Sequence, residues 1–324
     1  MQADRVEFRP WMEAWQAALY GDDGFYRRAE GPAQHFTTAS HGPLGPVLAA
    51  TILAAAADLN CETIVDLGAG RGELLTALRT LTPDVPLIGV DVVERPNALA
   101  PSIAWRQSPG GALIPDLGLP DGGRALVVAN EWLDVVACPI AEIDGSGTLR
   151  EVQVDRAGRE RLAGPVTGAD LAWVERWWPL TDHEPGSRVE IGRARDDAWA
   201  AVLATPGVGA ALAIDYGHLA SLRPPRGSLV GYRDGTLTPP IPDGRHDLTA
   251  HVAVDSLPHT ELVTQRAALD RWGPLAPVPP LALATTDPPG YLRALAASSA
   301  LHALRQGGTG DFWWVIASGP ATPA

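Results

Sequence analysis

Thr63-Ile64-Val65-Asp66-Leu67-Gly68-Ala69-Gly70-Arg71-Gly72-Glu73 begins as a β-prone run, crosses three glycines at alternate positions and ends where a helical pattern starts. The pattern predicts a strand over 63–67, a tight turn, a helix over Glu73–Leu81 and a second strand over Pro86–Asp91. Strand, turn, helix and strand in this order form a βαβ unit. Its glycines let the backbone approach a ligand where a side chain would obstruct it, and the helix N-terminus faces that ligand. Asp91 closes the second strand about 20 residues beyond the loop, where a carboxylate can accept both hydroxyls of a ribose. The segment therefore calls for an adenosine-bearing ligand. The GxGxG spacing is not the GxGxxG of dinucleotide binders, and alone it does not say which ligand.

Further apolar runs at Arg124–Ala129, followed by Asn130, and at Ala210–Asp215 lead into a polar residue, as strands of a parallel sheet covered on both faces do. A last strand is expected at Phe312–Ala317, after an Ala-rich helix at Tyr291–Arg305. The stretch between the runs at 124 and 210 is too long for a plain crossover and is read as an insertion. It starts with a hairpin, Pro139–Asp144 and Leu149–Val154, and continues into a Trp-rich helix at Leu171–Trp178. Residues 223–244 are dense in Pro and Gly and are expected to be irregular. The resulting division is a helical and lid extension over 1–60, a core over 61–138 and 205–324, and an insertion over 139–204. Within the extension, Gln34–Gly45 is a candidate lid loop.

Composition excludes several chemistries. All 25 basic residues are Arg, so Schiff-base catalysis, lysine-anchored pyridoxal phosphate and the lysine-bearing phosphate loop are ruled out. Two cysteines far apart, Cys61 and Cys138, cannot make a disulfide framework or a thiolate metal site, so no metal is expected. A formal charge of -13 disfavours nucleic acid and suits a cationic partner. The polar start of the chain carries no export signal, and the apolar Leu44–Leu59 falls short of the roughly 20 residues of a membrane span. The expectation is a cytoplasmic protein that engages neither nucleic acid nor membrane.

Two ligand classes remain for the glycine loop. A nicotinamide or flavin enzyme would rest its pyrophosphate on the helix N-terminus. Glu73 stands at that helix start, where it opposes a pyrophosphate but tolerates the sulfonium and ammonium of S-adenosylmethionine. The acidic Asp66 just before the glycines also suits a methyl donor.

Several separated segments together resemble the MidA-like methyltransferases, a family related to the mitochondrial arginine methyltransferase of complex I assembly. They are Phe36-Thr37-Thr38-Ala39-Ser40, Val65–Gly72, Asn130-Glu131-Trp132-Leu133-Asp134, Asp215-Tyr216-Gly217 and Asp247-Leu248-Thr249-Ala250-His251-Val252. The chain departs from the family pattern in Val135–Pro139, and in Asp91 where Glu is usual. The resemblance implies an α/β fold: a Rossmann-like class I methyltransferase sheet with helices on both faces, an N-terminal helical lid and an inserted α+β subdomain. It implies S-adenosylmethionine as cofactor, S-adenosylhomocysteine as product and an arginine guanidinium as acceptor. A small-molecule acceptor and a non-catalytic, cofactor-binding assembly factor stay open beside it.

Methyl transfer is an in-line displacement, so the protein must chiefly align nucleophile and methyl and keep water out. A guanidinium acceptor starts positively charged and calls for carboxylates. Glu131 and Asp134 are the candidates, three residues apart and on one face if the segment turns as a helix capped by Asn130. The candidate catalytic set is Glu131, Asp134 and His251, with His35 a second candidate base. Asp215, Tyr216, Asp247 and His251 are candidates to line the acceptor pocket, and Glu190, which matches a family acid, is a further candidate beside the two histidines. The candidate cofactor set is Thr38, Asp66, Gly68, Ala69, Gly70, Gly72, Asp91, Val92, Asn130 and Glu131. Trp173, Trp177, Trp178, Trp313 and Trp314 are read as packing residues. The insertion is a candidate cap over the acceptor or a contact between the copies of a homodimer.

Overall fold

The computed structural model describes residues 7–28, 42–120, 122–180, 184–306 and 311–319. Its centre is a seven-stranded sheet built from β1 (Thr63–Leu67), β2 (Leu87–Asp91), β3 (Ile103–Gln107), β4 (Ala125–Asn130), β5 (Val208–Asp215), β6 (Glu261–Thr264) and β7 (Trp313–Ser318). The spatial order is β3-β2-β1-β4-β5-β7-β6. Strands β3 to β5 of that path run parallel, whereas β7 lies antiparallel to both β5 and β6. The order reverses between β1 and β4, and open α/β sheets bind ligands in the crevice at such a switch point.

Every residue of β5 is buried, as are the first five of the six in β4. Their uninterrupted Val, Leu, Ile and Ala content is what coverage on both faces requires. One face carries α2 (Gly45–Asp58), α3 (Glu73–Leu81), α6 (Gln265–Trp272) and α8 (Pro288–Arg305), which pack Ile52, Leu75, Leu269 and Leu304 onto the sheet. The other face carries α5 (Arg193–Ala204), with Trp199 and Val202 packed beside Leu133 and Val254.

The insertion forms a separate antiparallel sheet. Leu149–Val154 pairs with Ile140–Ile143, with Glu160–Pro165 and with the short N-terminal strand Arg9–Pro10, and Ile140–Ile143 pairs on with Arg188–Glu190. One side is covered by α4 (Gly168–Trp177), whose Trp173 packs with Trp178, Ile143 and Val189. The other side is covered by α1 (Trp11–Tyr20), with Trp11, Trp15 and Leu19 against Ile140, Val152 and Leu248. The helix at the start of the chain thus completes a core that begins 120 residues later in sequence. Trp173, Trp178 and Trp314 are buried, in keeping with a packing role. No helix among the described residues is long and apolar enough to cross a membrane.

Residues 223–244 are less irregular than their Pro and Gly content suggests. Val230–Arg233 and Thr236–Thr238 form a hairpin, and Asp247–Thr249 pairs on the far side of Val230–Arg233. The hairpin turns at Asp234 and Gly235, both with positive φ (50° and 74°), the arrangement an Asp-Gly turn favours between right-twisted strands.

Gly89, in the middle of β2, shows how tightly one face of the sheet is packed. A Cβ there would lie 2.5 Å from the Trp105 ring and 2.7 Å from Leu75. Gly89→Ala should destabilise the protein by about 1–3 kcal/mol through overpacking alone. Chemical denaturation should show a lower midpoint with an unchanged slope; an unchanged midpoint would mean that this face is not close-packed.

Candidate active site

Three sequence segments converge on one cleft at the carboxyl ends of β1, β2 and β4. The first is the glycine loop. Gly68 and Ala69 donate their N–H groups to the Val90 carbonyl (2.9 and 3.1 Å), which ties the loop to β2. Gly68, Gly70 and Gly72 take φ values of 78°, 57° and 83°, the left-handed region that favours glycine. Gly68 meets the indole of Trp132, where a Cβ would come within 3.2 Å of the ring. Gly72 does not line the cleft. It stands before α3, and a Cβ there would press to 2.7 Å on Leu99, so its part is the turn and the packing behind it.

Asp91 ties the glycine loop to the end of β2. Its Oδ2 accepts the Gly70 N–H at 2.8 Å and its Oδ1 accepts the Val93 N–H at 3.1 Å. Burial raises its pKa to about 6 against those opposing backbone bonds. Asp66, 3% exposed, is raised to about 8 by burial, with Asp91 and Glu73 adding to the effect. It is therefore mostly protonated at neutral pH unless a cation enters. Val92, Val93, Ser108, Gly110 and Gly111 continue the wall past Asp91.

The second segment follows β4. Asn130, Glu131, Trp132, Asp134 and Val135 all line the cleft, but they do not form a helical turn. Glu131 has φ 52°, outside the helical region, and the N–H groups of Leu133 and Asp134 are taken by Asp215 Oδ2 (3.0 and 3.1 Å) instead of by a helix. A tertiary carboxylate thus imposes the turn, and Glu131 and Asp134 share the cleft by that route. Asp215 and Tyr216 are not in the lining; Asp215 is 1% exposed and serves as the anchor.

Arg195 secures the same loop from the first turn of α5. Fully buried, it donates to the carbonyls of Asp134 (2.9 Å), Val136 (3.0 Å) and His251 (2.9 Å). Asp134 Oδ2 accepts the Thr249 hydroxyl at 2.6 Å, whereas its buried Oδ1 has no hydrogen-bond partner among the described residues. Burial raises the pKa of Asp134, and Thr249 and Arg195 oppose that rise.

The third segment is α1 with the turn after it. Tyr20 and Tyr26 close the cleft, and the Tyr26 hydroxyl donates to Asp247 Oδ1 at 2.7 Å. Asp247 also lines the cleft. His251 does not; its exposed ring stacks on Tyr216 at 5.9 Å, and its N–H donates to Ser228 Oγ. Glu190 is likewise outside the lining, buried with Oε1 accepting the Ser228 and Leu229 N–H groups. Thr38, its neighbours Phe36–Ser40 and His35 lie outside the described residues.

Six carboxylates, Asp66, Glu73, Asp91, Glu131, Asp134 and Asp247, line the cleft with Arg71 as the one basic residue in its described lining. A pyrophosphate would meet repulsion there, while a sulfonium and an ammonium meet their opposite charge. The residues present therefore fit S-adenosylmethionine better than a dinucleotide. Among the described residues no group of three or more His, Cys, Asp or Glu is arranged to hold a metal ion.

Asp66 also has a measurable thermodynamic signature. Its folded pKa lies above its unfolded value of 3.8, so its ionisation opposes folding increasingly as pH rises from about 4 to about 8. Asp66→Asn removes that penalty. In the free protein, the stability gained by this variant over the wild type should be small at pH 4 and grow toward pH 8 in denaturant titrations. A difference independent of pH would mean that Asp66 titrates normally.

The whole fold compares with two crystal structures of Burkholderia thailandensis proteins. One, described as a "likely methyl transferase" and bound to S-adenosyl-homocysteine, is 23% identical with a TM-score of 0.70, covering 98% of this chain and 89% of its own. The other, a native structure described as uncharacterized, is 21% identical with a TM-score of 0.68 and the same coverage. No curated protein matches the sequence. The family model described as "Putative S-adenosyl-L-methionine-dependent methyltransferase" matches residues 47–272. That span holds the glycine loop, Asp91, the Asn130–Asp134 turn and Asp247, and the chain belongs to this family of S-adenosyl-L-methionine-dependent methyltransferases.

Proposed function

We propose that the methyl acceptor is a guanidinium nitrogen of a protein arginine. The observation that carries this reading is the buried, unpartnered Oδ1 of Asp134 beside Glu131 in the cleft wall. An ionised carboxylate can only accept hydrogen bonds, and a guanidinium is a planar array of donors that carries the complementary charge. Thr249 holds the other oxygen of Asp134, and Arg195 fixes its backbone, so the free oxygen has a set direction.

The cofactor supplies an electrophilic methyl group on a sulfonium, and the protein contributes position and field. Gly68, Ala69 and Gly70 would offer backbone to the cofactor, Asp91 would hold its ribose, and Asp66 and Asn130 would face its amino-acid end. Glu131 and Asp134 attract the acceptor and orient one nitrogen for in-line attack. Tyr20 and Tyr26 close the cleft against water. The acidic balance of the chain, -13, supports a cationic partner.

Incubation with S-adenosylmethionine labelled in its methyl group, together with a lysate lacking the endogenous protein, tests the reading. Label is expected in protein, released as methylated arginine on acid hydrolysis. Label confined to extractable metabolites would replace the protein acceptor with a small molecule, and cofactor binding with no transfer at all would favour a non-catalytic role. Glu131→Gln should lower kcat by about 100-fold while the cofactor Kd stays within about threefold, since the lost charge acts on the acceptor. Normal turnover in this variant would remove Glu131 from the acceptor site.

A further inference from the structure

The reaction releases a proton, and none of the roles above receives it. A guanidinium nitrogen that takes the methyl group forms a new N–C bond, the pair of the broken C–S bond stays on sulfur, and one N–H proton must leave for the methylguanidinium to keep its single positive charge. His251, the histidine of the candidate set that falls within the described residues, lies outside the cleft lining with its ring against Tyr216. The acceptor for this proton must be sought among the carboxylates.

We propose that Asp247 is the catalytic base that takes this proton, and that Tyr26 is the positioning residue that aims it. The inference rests on the guanidinium reading above. Asp247 comes from the Asp247–Thr249 strand, and the same segment binds the acceptor loop twice, through Thr249 Oγ1 to Asp134 Oδ2 and through the Ala250 N–H to the Asp134 carbonyl at 3.1 Å. Those two bonds place Asp247 on the Asp134 side of the cleft. Tyr26 holds one oxygen, Oδ1, at 2.7 Å, which fixes the plane of the carboxylate.

The carboxylates divide the work by their surroundings. Burial raises the pKa of Asp134, but Thr249 and Arg195 each favour its charged form, and one of its oxygens stays open to a cation. Asp247 is 3% exposed, and no Arg contributes to its charge balance. The titratable groups beside it are Tyr26 from the turn after α1, Tyr20 from α1, Asp134 from the acceptor loop and Tyr232, its partner across the strand pair. Burial and the negative charge of Asp134 raise Asp247 to about 7, and the Tyr26 hydrogen bond pulls the other way. A base whose pKa lies near the working pH accepts a proton readily and returns it to solvent between turnovers. Both tyrosines are pushed well above their ordinary pKa and remain hydrogen-bond donors.

The test uses full-length Asp247→Asn and Tyr26→Phe variants with the wild-type protein as reference. Each is assayed for methylarginine formed in the lysate and for S-adenosylmethionine affinity by calorimetry. Asp247→Asn keeps the side-chain shape and should lose at least about 100-fold in kcat with cofactor Kd changed by less than about threefold. Wild-type kcat should fall tenfold per unit below about pH 7 as Asp247 takes up its proton. Tyr26→Phe removes the bond that favours the ionised carboxylate, so this acid limb should move to higher pH, a displacement that loss of packing would not produce. Methylarginine formed by Asp247→Asn at the wild-type rate, or an acid limb unmoved in Tyr26→Phe, would overturn the proposal and leave the acceptor reading intact. Absence of methylarginine from the wild-type reaction would overturn the acceptor reading itself, and Asp247 as its base with it.

Discussion

A single buried guanidinium joins the parts of this site. Arg195 stands at the start of α5 and donates to three carbonyls that belong to two distant segments. Two of those carbonyls are in the turn after β4 and the third follows the Asp247–Thr249 strand. Neutral carbonyls around a charged donor leave its positive charge uncancelled, so it acts on the carboxylates nearby. It lowers the pKa of Asp134, Asp215 and Glu190 against the burial that raises each of them. Replacing such a group by an apolar one would leave buried acceptors and carboxylates unsatisfied at the same time, which is among the costliest changes a core can suffer.

The acidic cleft imposes a second constraint. Carboxylates brought this close cannot all ionise in a dry site unless cations arrive. Burial first, and the negative charges beside them second, make Asp66, Asp91 and Asp247 hold their protons to higher pH than free carboxylates do. The cationic cofactor would favour the charged forms, so its binding would be tied to proton release. The sequence shows six acidic residues scattered from 66 to 247; only the fold shows that they share one field.

How much of this was legible beforehand depended on the range of the interaction. The glycine loop, Asp91 and the buried strands at 124 and 210 were legible because backbone conformation and two-faced burial leave local marks. The outer strands Ile103–Gln107 and Glu261–Thr264 were not expected, since edge strands are only partly buried and carry no continuous apolar run. Helix α5 was missed inside the insertion because it mixes Arg and Asp with its apolar residues. The Asp234-Gly235 turn did carry a local signal that the surrounding prolines obscured. Site residues followed the same rule. Glu131 and Asp134 were found, but the helix expected to align them was not there, because nothing near them in sequence announces that Asp215 will take their loop's N–H groups. Tyr20, Tyr26 and Arg195 carry no motif at all; they matter through partners roughly 60 to 230 residues away.

That distribution bears on how the cleft closes. Its floor, the glycine loop and Asp91, is made by two adjacent strands of the central sheet and is held by their own backbone bonds. Its opposite wall is made by the β4 turn, which Asp215 holds, and by the Asp247 segment, which Arg195 joins to that turn. Its cover, α1 with Tyr20 and Tyr26, belongs to neither. The cover packs on the inserted sheet through Trp11 and Trp15 and reaches the opposite wall through the Trp15 indole bond to the Leu248 carbonyl and the Tyr26 bond to Asp247. The cover therefore packs on the inserted sheet, and its two bonds to the wall end at the two residues on either side of the Asp247–Leu248 peptide.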